Sequence, residues 1–221
     1  MLEFVYIHIP RCAGRFMTDT IGSTFGRERV LRDIEFRREA QLFKRETGRK
    51  MVANRFIYTE KSLPDKFDFN RKNHSILLGH FNMRKYEFLN LPFITFLRNP
   101  IDRLISEYSV LKIEDMGIDV VEFSRIQSNL MSWMVHDINQ CLFIGFVEEL
   151  EKSLVRFESL LSEKLIRLIV SKGKSGNYKN TKYPIYVPTE KEIEQMEKYN
   201  QLDIDFYNQA YKKFMQEIPC D

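Results

Sequence analysis

The sequence predicts an α/β protein with three layers, in which helices flank a central, mainly parallel sheet. Short apolar runs alternate along the chain with segments of helical periodicity. The runs lack the polar alternation of a half-exposed strand, and strands of a parallel sheet that are buried on both faces have this pattern. A chain of 221 residues can also bury a core without disulfides, so we expect a single domain over residues 1–221.

The first elements are predicted from the apolar runs and the breaks between them. A strand over Glu3–Ile9 ends in a glycine-containing turn, and helical spacing begins at Phe16. The charged region Val30–Gly48 has irregular periodicity, which we interpret as a helix or a helical insertion. A second strand is predicted over Lys50–Tyr58, followed by a polar loop over Ser62–Asn73.

Two further apolar runs, Ser75–Gly79 and Phe93–Leu97, are predicted to be buried strands. After the second run, Asn99 can cap a helix whose first turn contains a proline. The apolar stripe of this helix consists of Ile101, Leu104, Ile105 and Tyr108. Arg103 and Ser106 therefore lie on a different face of the predicted helix.

The rest of the chain continues the alternation. It is predicted to form a helix over 122–135, a strand over 141–147, a largely helical segment over 148–170 and a polar loop over 172–188. Thr189 and Glu192 then form a capping box for the final helical segment. The packing stripe of that segment consists of Phe206, Tyr207, Ala210, Tyr211 and Phe214.

Charge excludes few functions on its own. The chain has 34 basic and 31 acidic residues, a net charge of +3, and this small excess does not favour nucleic acid as a partner. Arginines cluster between residues 27 and 49. The cluster is consistent with an anionic ligand and equally with solvated helix faces.

Cysteine usage and hydropathy predict a cytoplasmic protein. Cys12, Cys141 and Cys220 are scattered and have no Cys-x-x-Cys spacing, which favours a reducing compartment and no metal site. No apolar run reaches the roughly 18 residues of a membrane helix. The run Leu2–Ile9 has no basic leader and is interrupted by charged and polar residues, so we expect neither a signal peptide nor a membrane partner.

The turn after the first predicted strand is a candidate anion site. Residues Arg11–Met17 place two arginines and Gly14 between a buried strand and the start of a helix. The unpaired N–H groups and the positive end of a helix dipole attract anions. Gly14 is not followed by Lys and then Ser or Thr, so the turn is not a Walker A loop. Ordinary βα turns also contain a glycine and a surface arginine, which is the alternative interpretation.

A second candidate site follows the strand Phe93–Leu97. Arg98 ends that strand at the carboxyl edge of the predicted sheet, and Ser106 lies two turns into the next helix. A guanidinium group and a hydroxyl can both donate to one phosphate. The alternative is that Arg98 bridges a carboxylate and that Ser106 is exposed.

Together the two segments resemble the sulfotransferases that use 3'-phosphoadenosine 5'-phosphosulfate. Ile7–Met17 is similar to their 5'-phosphosulfate loop, His-Ile-Pro-Lys-Thr-Ala-Gly-Thr-Ser, and Phe96–Tyr108 to their 3'-phosphate motif, Leu-Arg-Asp-Pro-x-x-Arg-x-x-Ser-x-Tyr. The nearest resemblance is to carbohydrate enzymes of the heparan and uronyl 2-O type. It includes Leu78–Phe81, Ile144–Glu151, Lys179–Pro184 and Asp205–Tyr207. The likeness spans most of 4–215 and is thin between 25 and 70, which we interpret as an insertion on the acceptor side.

The resemblance implies a P-loop-like fold, a 3'-phosphoadenosine 5'-phosphosulfate donor, no metal, and a hydroxyl acceptor on a carbohydrate. It implies that His80 is the general base and that Arg11 stands where the family has its catalytic lysine. Phe16 replaces a serine or threonine of the family loop. The donor would be held by Arg11, Cys12, Ala13, Gly14, Arg15, Phe16 and Met17 at the phosphosulfate, by Arg98 and Ser106 at the 3'-phosphate, and by Lys182 from a late loop.

The other histidines are interpreted as noncatalytic, with His8 a structural residue of the first strand and His74 and His136 on the surface. Two other functions are compatible with the sequence. Because Arg11 and Phe16 depart from the family pattern, the chain could bind the nucleotide or a polyanion without turnover. A nucleotide kinase of related fold is the third alternative, which the missing Walker A loop disfavours.

Overall fold

A five-stranded parallel sheet forms the centre of the protein. The structure, a computed structural model, describes residues 3–33, 74–161 and 184–216. Within these ranges the strands are β1 (Phe4–Ile7), β2 (Val30–Asp33), β3 (Ile76–Gly79), β4 (Phe93–Leu97) and β5 (Cys141–Phe146). Their order is β2-β3-β1-β4-β5, and every neighbouring pair is parallel.

The three inner strands are covered on both faces. Every residue of β1, β3 and β4 is buried. Successive side chains of a strand point to opposite faces, so burial of all of them requires a layer on each side of the sheet. The predicted α/β class and the predicted parallel sheet are therefore confirmed, and the layering agrees with three layers.

Seven α-helices surround the sheet in the described ranges. They are α1 (Gly14–Phe25), α2 (Pro100–Leu111), α3 (Val120–Ile126), α4 (Leu130–Met134), α5 (Leu150–Leu160), α6 (Glu190–Tyr199) and α7 (Gln201–Gln216). Helices α1, α4, α5 and α7 share one hydrophobic core with the sheet, whereas α2, α3 and α6 form a second cluster. None of the helices in these ranges has the length and apolarity needed to cross a membrane.

Several predicted elements are confirmed by local contacts. The runs at 75–79, 93–97 and 141–147 form β3, β4 and β5. Asn99 caps α2, because its Oδ1 accepts the N–H groups of Ile101 at 3.0 Å and Asp102 at 3.2 Å. Thr189 and Glu192 form the predicted capping box at the start of α6.

The helical interpretation of Val30–Gly48 is wrong at its start. Val30–Asp33 is strand β2, which pairs in parallel with β3 from Val30 opposite Ile76 to Asp33 opposite Gly79. A strand that can hydrogen-bond to a buried neighbour outweighs the weak helical periodicity of a charged segment. The rest of that segment lies outside the described residues, as do the predicted strand at 50–58 and the predicted loop at 62–73.

The predicted helix over 122–135 is two helices. Helix α3 ends at Ile126, and Asn129 has a left-handed backbone with φ of 53° before α4 begins. Asp203 of α7 accepts the N–H groups of Met131 at 3.0 Å and Ser132 at 2.7 Å, so a buried carboxylate from a distant element starts α4. The predicted helix over 148–170 is α5 in its described part, and residues 162–170 lie outside the described ranges.

Candidate functional site

The candidate site lies at the carboxyl ends of β3, β1 and β4, three adjacent strands. From β1 the chain passes toward the edge of the sheet that β2 forms. From β4 it passes toward the opposite edge, which β5 forms. The two departing segments therefore leave a crevice between β1 and β4, which is where open α/β sheets bind ligands. The loop after β1 and the residues after β4 are the two candidate motifs.

The loop after β1 is sharply bent. Arg11 and Ala13 have positive φ angles of 66° and 54°, a region that residues other than glycine rarely adopt. Helix α1 begins directly after the bend, and no side chain caps its first turn. The N–H groups of Gly14, Arg15 and Phe16 thus have no intrahelical acceptor, and with the dipole of a 12-residue helix they form a site that attracts anions.

Two other backbone donors of the predicted loop are used internally. The N–H of Cys12 donates to the carbonyl oxygen of Ile9 at 3.3 Å, and that of Met17 donates to Ala13 at 3.0 Å. The side chains of Cys12 and Met17 are fully buried. These two residues therefore shape the loop from beneath, and Arg15 is the exposed cation of the first helical turn.

A direct hydrogen bond joins the two motifs. Nε of Arg11 donates to Oγ of Ser106 at 3.0 Å, although the residues are 95 positions apart in the chain. Ser106 is only 6% exposed, which contradicts the alternative that it lies on the surface. A hydroxyl that accepts this bond retains its own O–H as a donor, so both groups can act on one anion.

Arg103 and Glu107 form a buried ion pair on the same side of α2. Arg103 is fully buried, and its Nη1 lies 2.8 Å from Oε2 of Glu107. Burial raises the pKa of Glu107, and the charges of Arg103 and Arg11 oppose that rise. The predicted separation of Arg103 and Ser106 from the apolar stripe is correct, but that separate face is buried against the loop after β1.

The first loop contains Arg11 and lies within electrostatic range of Arg98 and Arg103. Burial raises the pKa of the Cys12 thiol to about 12, while the charges of Arg103 and Arg98 act in the opposite direction. Arg11 also acts on Glu107. Arg11, Arg98 and Arg103 therefore all act on buried groups at the loop, and Arg103 is in direct contact with the carboxylate of Glu107.

Glu148 connects the second motif with the end of the chain. Its Oε1 accepts the N–H of Asn99 at 2.7 Å, and its Oε2 accepts the hydroxyl of Tyr207 at 3.1 Å. Burial and the charge of Glu148 raise the pKa of Tyr207. The segments around Glu148 and Tyr207, which resemble late family motifs, therefore support the turn that carries Arg98 and Asn99.

His80 lies beside the first loop and contacts His8. Residue Ile7 of β1 pairs with Gly79 of β3, so the next residue of each strand lies at the same edge. The two imidazole rings have centroids 4.1 Å apart and an angle of 31° between their planes. Sequence reasoning treated His8 as structural only. The sequence does contain a signal for this pair, because each of the two histidines directly follows the last residue of a buried strand.

Asp33 is a second residue at this edge that the sequence analysis missed. Its Oδ2 accepts Nζ of Lys85 and the hydroxyl of Tyr86, each at 2.9 Å. A Cβ at Gly79 would lie 2.8 Å from Cβ of Asp33, so only glycine permits this approach of β2 to β3. The contacts anchor the segment that follows His80.

Lys182 and the rest of the late loop at 172–183 lie outside the described residues. Within the described ranges there is no group of three or more His, Cys, Asp or Glu side chains that could hold a metal ion. In comparisons with known proteins, neither a family model nor a curated protein matches the chain.

Proposed function

We propose that the protein is a sulfotransferase that moves a sulfuryl group from 3'-phosphoadenosine 5'-phosphosulfate to a hydroxyl of a carbohydrate. The observation that carries the proposal is the bond from Arg11 to Ser106 in the crevice between β1 and β4. It makes one continuous cationic site from the two segments that resemble the 5'-phosphosulfate loop and the 3'-phosphate motif.

The residues present suit such a donor. The uncapped first turn of α1 supplies backbone N–H groups for the 5'-phosphosulfate, as in other anion sites at helix N-termini. Arg98 and the O–H of Ser106 supply donors for the 3'-phosphate. The sheet order and the helix directly after the β1 loop support the P-loop-like assignment.

The proposed reaction needs a base and a fixed positive charge. His80 accepts the proton of the acceptor hydroxyl as its oxygen forms a bond to sulfur. The bond between sulfur and the bridging oxygen breaks, and adenosine 3',5'-bisphosphate leaves with the electron pair. Arg11 stabilises the negative charge on that oxygen. Because a guanidinium keeps its proton at neutral pH, Arg11 acts by charge and hydrogen bonding alone.

The proposal is tested by transfer of labelled sulfuryl groups from 3'-phosphoadenosine 5'-phosphosulfate to a panel of glycans. We expect transfer by the wild-type protein and a loss of about 10²- to 10⁴-fold in kcat for His80→Gln. His74→Gln is the matched control, because His74 lies at the opposite, amino end of β3 and should leave the rate unchanged.

Each alternative gives a different result in the same experiment. Binding of adenosine 3',5'-bisphosphate without transfer to any glycan would favour the noncatalytic nucleotide-binding protein. Tighter binding of ATP than of the bisphosphate would favour the nucleotide kinase. Equal rates for the wild type and His80→Gln would remove His80 from the mechanism.

A further inference from the structure

We propose that His8 is a positioning residue for His80 and that the two imidazoles together carry no more than one proton near neutral pH. The positioning role rests on the proposed function of His80 as a base. The sharing of one proton depends only on the geometry of the pair. The two statements can therefore be tested separately.

His8 is held in place from the loop side by Gly14. An ideal Cβ at Gly14 would lie 1.6 Å from Nε2 and 1.7 Å from Cδ2 of His8, so the imidazole occupies the space that any other residue would need. The N–H of His8 also donates to the carbonyl oxygen of Gly79 at 2.8 Å. Tyr6 stacks on the ring at 6.1 Å with an angle of 21°. The plane of His8 is thus set by β1, β3 and the start of α1.

The His8 ring also contacts the ring of His80. Rings whose centroids are 4.1 Å apart and whose planes differ by 31° meet face to face. This contact between the ring faces restricts rotation of the His80 ring. His8 therefore links the orientation of the proposed base to Gly14 in the proposed donor loop.

Two imidazolium ions at this distance repel each other strongly. Groups that interact by more than about one pK unit release their protons in two separate steps that belong to the pair. His8 is the less favoured site for the proton, because it lies against Gly14 at the positive end of α1. His80 therefore takes the first proton, and its proton uptake disfavours a second charge on His8.

Other charged groups on the neighbouring elements also affect the pair. They are Arg11 in the loop, Arg15 in the first turn of α1, Asp33 at the end of β2, Lys85 after β3 and Arg98 after β4. Asp33 favours the protonated pair, and its bond to Lys85 at 2.9 Å reduces that effect. The arginines disfavour a second proton. The net positive charge of these groups agrees with a pair that carries no more than one proton at neutral pH.

The test is a pH titration of the histidine ring signals by NMR in the wild-type protein, without donor or acceptor. His8→Phe and His80→Phe assign the signals and remove one imidazole each, and His8→Gln replaces His8→Phe if the latter does not fold. We expect two steps in the wild type, separated by about one pH unit or more. In His80→Phe, the midpoint of His8 should rise by about the same amount.

Identical midpoints for each histidine in the wild type and in the single variants would overturn proton sharing, whatever the protein catalyses. In the transfer assay, His8→Phe should lower kcat by about tenfold to a hundredfold, a larger factor than any change in the donor KM, as a misplaced base requires. An unchanged kcat would overturn the positioning role. Absence of transfer by the wild type would count against the proposed function of the protein, and proton sharing would still be decided by the titration.

Discussion

The bend between β1 and α1 depends on a few residues that each tolerate little change. Arg11 and Ala13 adopt left-handed backbone angles, and Gly14 follows with a ring of His8 packed where a side chain would be. The bend directs Nε of Arg11 toward Ser106 on α2. At the scale of single residues, the site therefore depends on steric fit as much as on charge.

Gly14→Ala should destabilise the protein, because its methyl group would overlap the His8 ring at 1.6 Å. We expect a loss of about 1–3 kcal/mol in the free energy of unfolding, measured by urea denaturation. Gly22→Ala in the same helix is the control. Its Cβ would meet only Cγ of Arg27 at 3.4 Å, so it should stabilise the protein by about 0.5–1 kcal/mol. Equal effects of the two changes would contradict the placement of His8.

Cys12 should resist alkylation in the folded protein. Burial raises the pKa of its thiol from 9.0 to about 12, so very little reactive thiolate forms at pH 8.5. We expect iodoacetamide to modify Cys12 at least about tenfold more slowly in native protein than in urea, as followed by peptide mass spectrometry. Equal rates in both conditions would show that the loop after β1 is open.

The same raised pKa predicts how stability changes with pH. The unfolded thiol ionises above pH 9.0 whereas the folded thiol remains protonated, so the contribution of Cys12 to stability is complete below that pH and declines as the pH rises. The slope of unfolding free energy against pH between 9 and 11 should be smaller in Cys12→Ala. An unchanged slope would contradict the burial of the thiol.

At the scale of elements, helix α2 has two buried faces with different chemistry. Its apolar face, which includes Leu104 and Tyr108, packs in the cluster shared with α3 and α6. The other face presents Ser106 and the ion pair of Arg103 and Glu107 to the loop after β1. Helix α2 therefore connects the second hydrophobic cluster with the candidate site.

Replacing one member of the ion pair should cost more than replacing both. Arg103→Met leaves the buried carboxylate of Glu107 without its partner, and we expect a loss of about 3–5 kcal/mol in unfolding free energy. In the double variant with Glu107→Leu, most of that stability should return, because no buried charge remains. Denaturant unfolding of the two variants measures the difference, and additive losses would contradict a direct pair.

Strands β1, β3, β4 and β5, and the caps of helices α2 and α6, could be predicted because their signals are local. Phe93–Leu97 is apolar throughout, and Asn99 followed by Pro100 is a helix start that needs no tertiary information. The burial of Arg103 could not be predicted in this way, because it depends on the loop after β1 packing against α2. Likewise, the start of α4 depends on Asp203, more than 70 positions away in the chain.

At the scale of the whole molecule, the strand order creates the crevice. The order β2-β3-β1-β4-β5 brings the loop after β1, His80 and Arg98 to adjacent strand ends. The sequence motifs suggested these residues individually, and only the strand order makes them neighbours. The order could not be read from the sequence, because β2 was interpreted as helical and pairs with β3 through contacts distant in the chain.

The loop after β1 and the turn after β4 are proposed to form one site for a nucleotide with phosphates at both positions. Isothermal titration calorimetry with adenosine 3',5'-bisphosphate and adenosine 5'-monophosphate tests it most directly. Each charge-assisted hydrogen bond contributes about 1.5–3 kcal/mol, which corresponds to a change in affinity of about tenfold to a hundredfold. The controls are Arg125→Gln and Ser159→Ala, which change an exposed arginine on α3 and an exposed serine on α5.

We predict that the wild-type protein binds the bisphosphate at least about tenfold more tightly than the monophosphate. Arg98→Gln and Ser106→Ala should each remove most of that preference, whereas the two controls should retain it. Equal affinity for the two nucleotides in the wild type, or no binding of either one, would show that the two segments do not form such a nucleotide site.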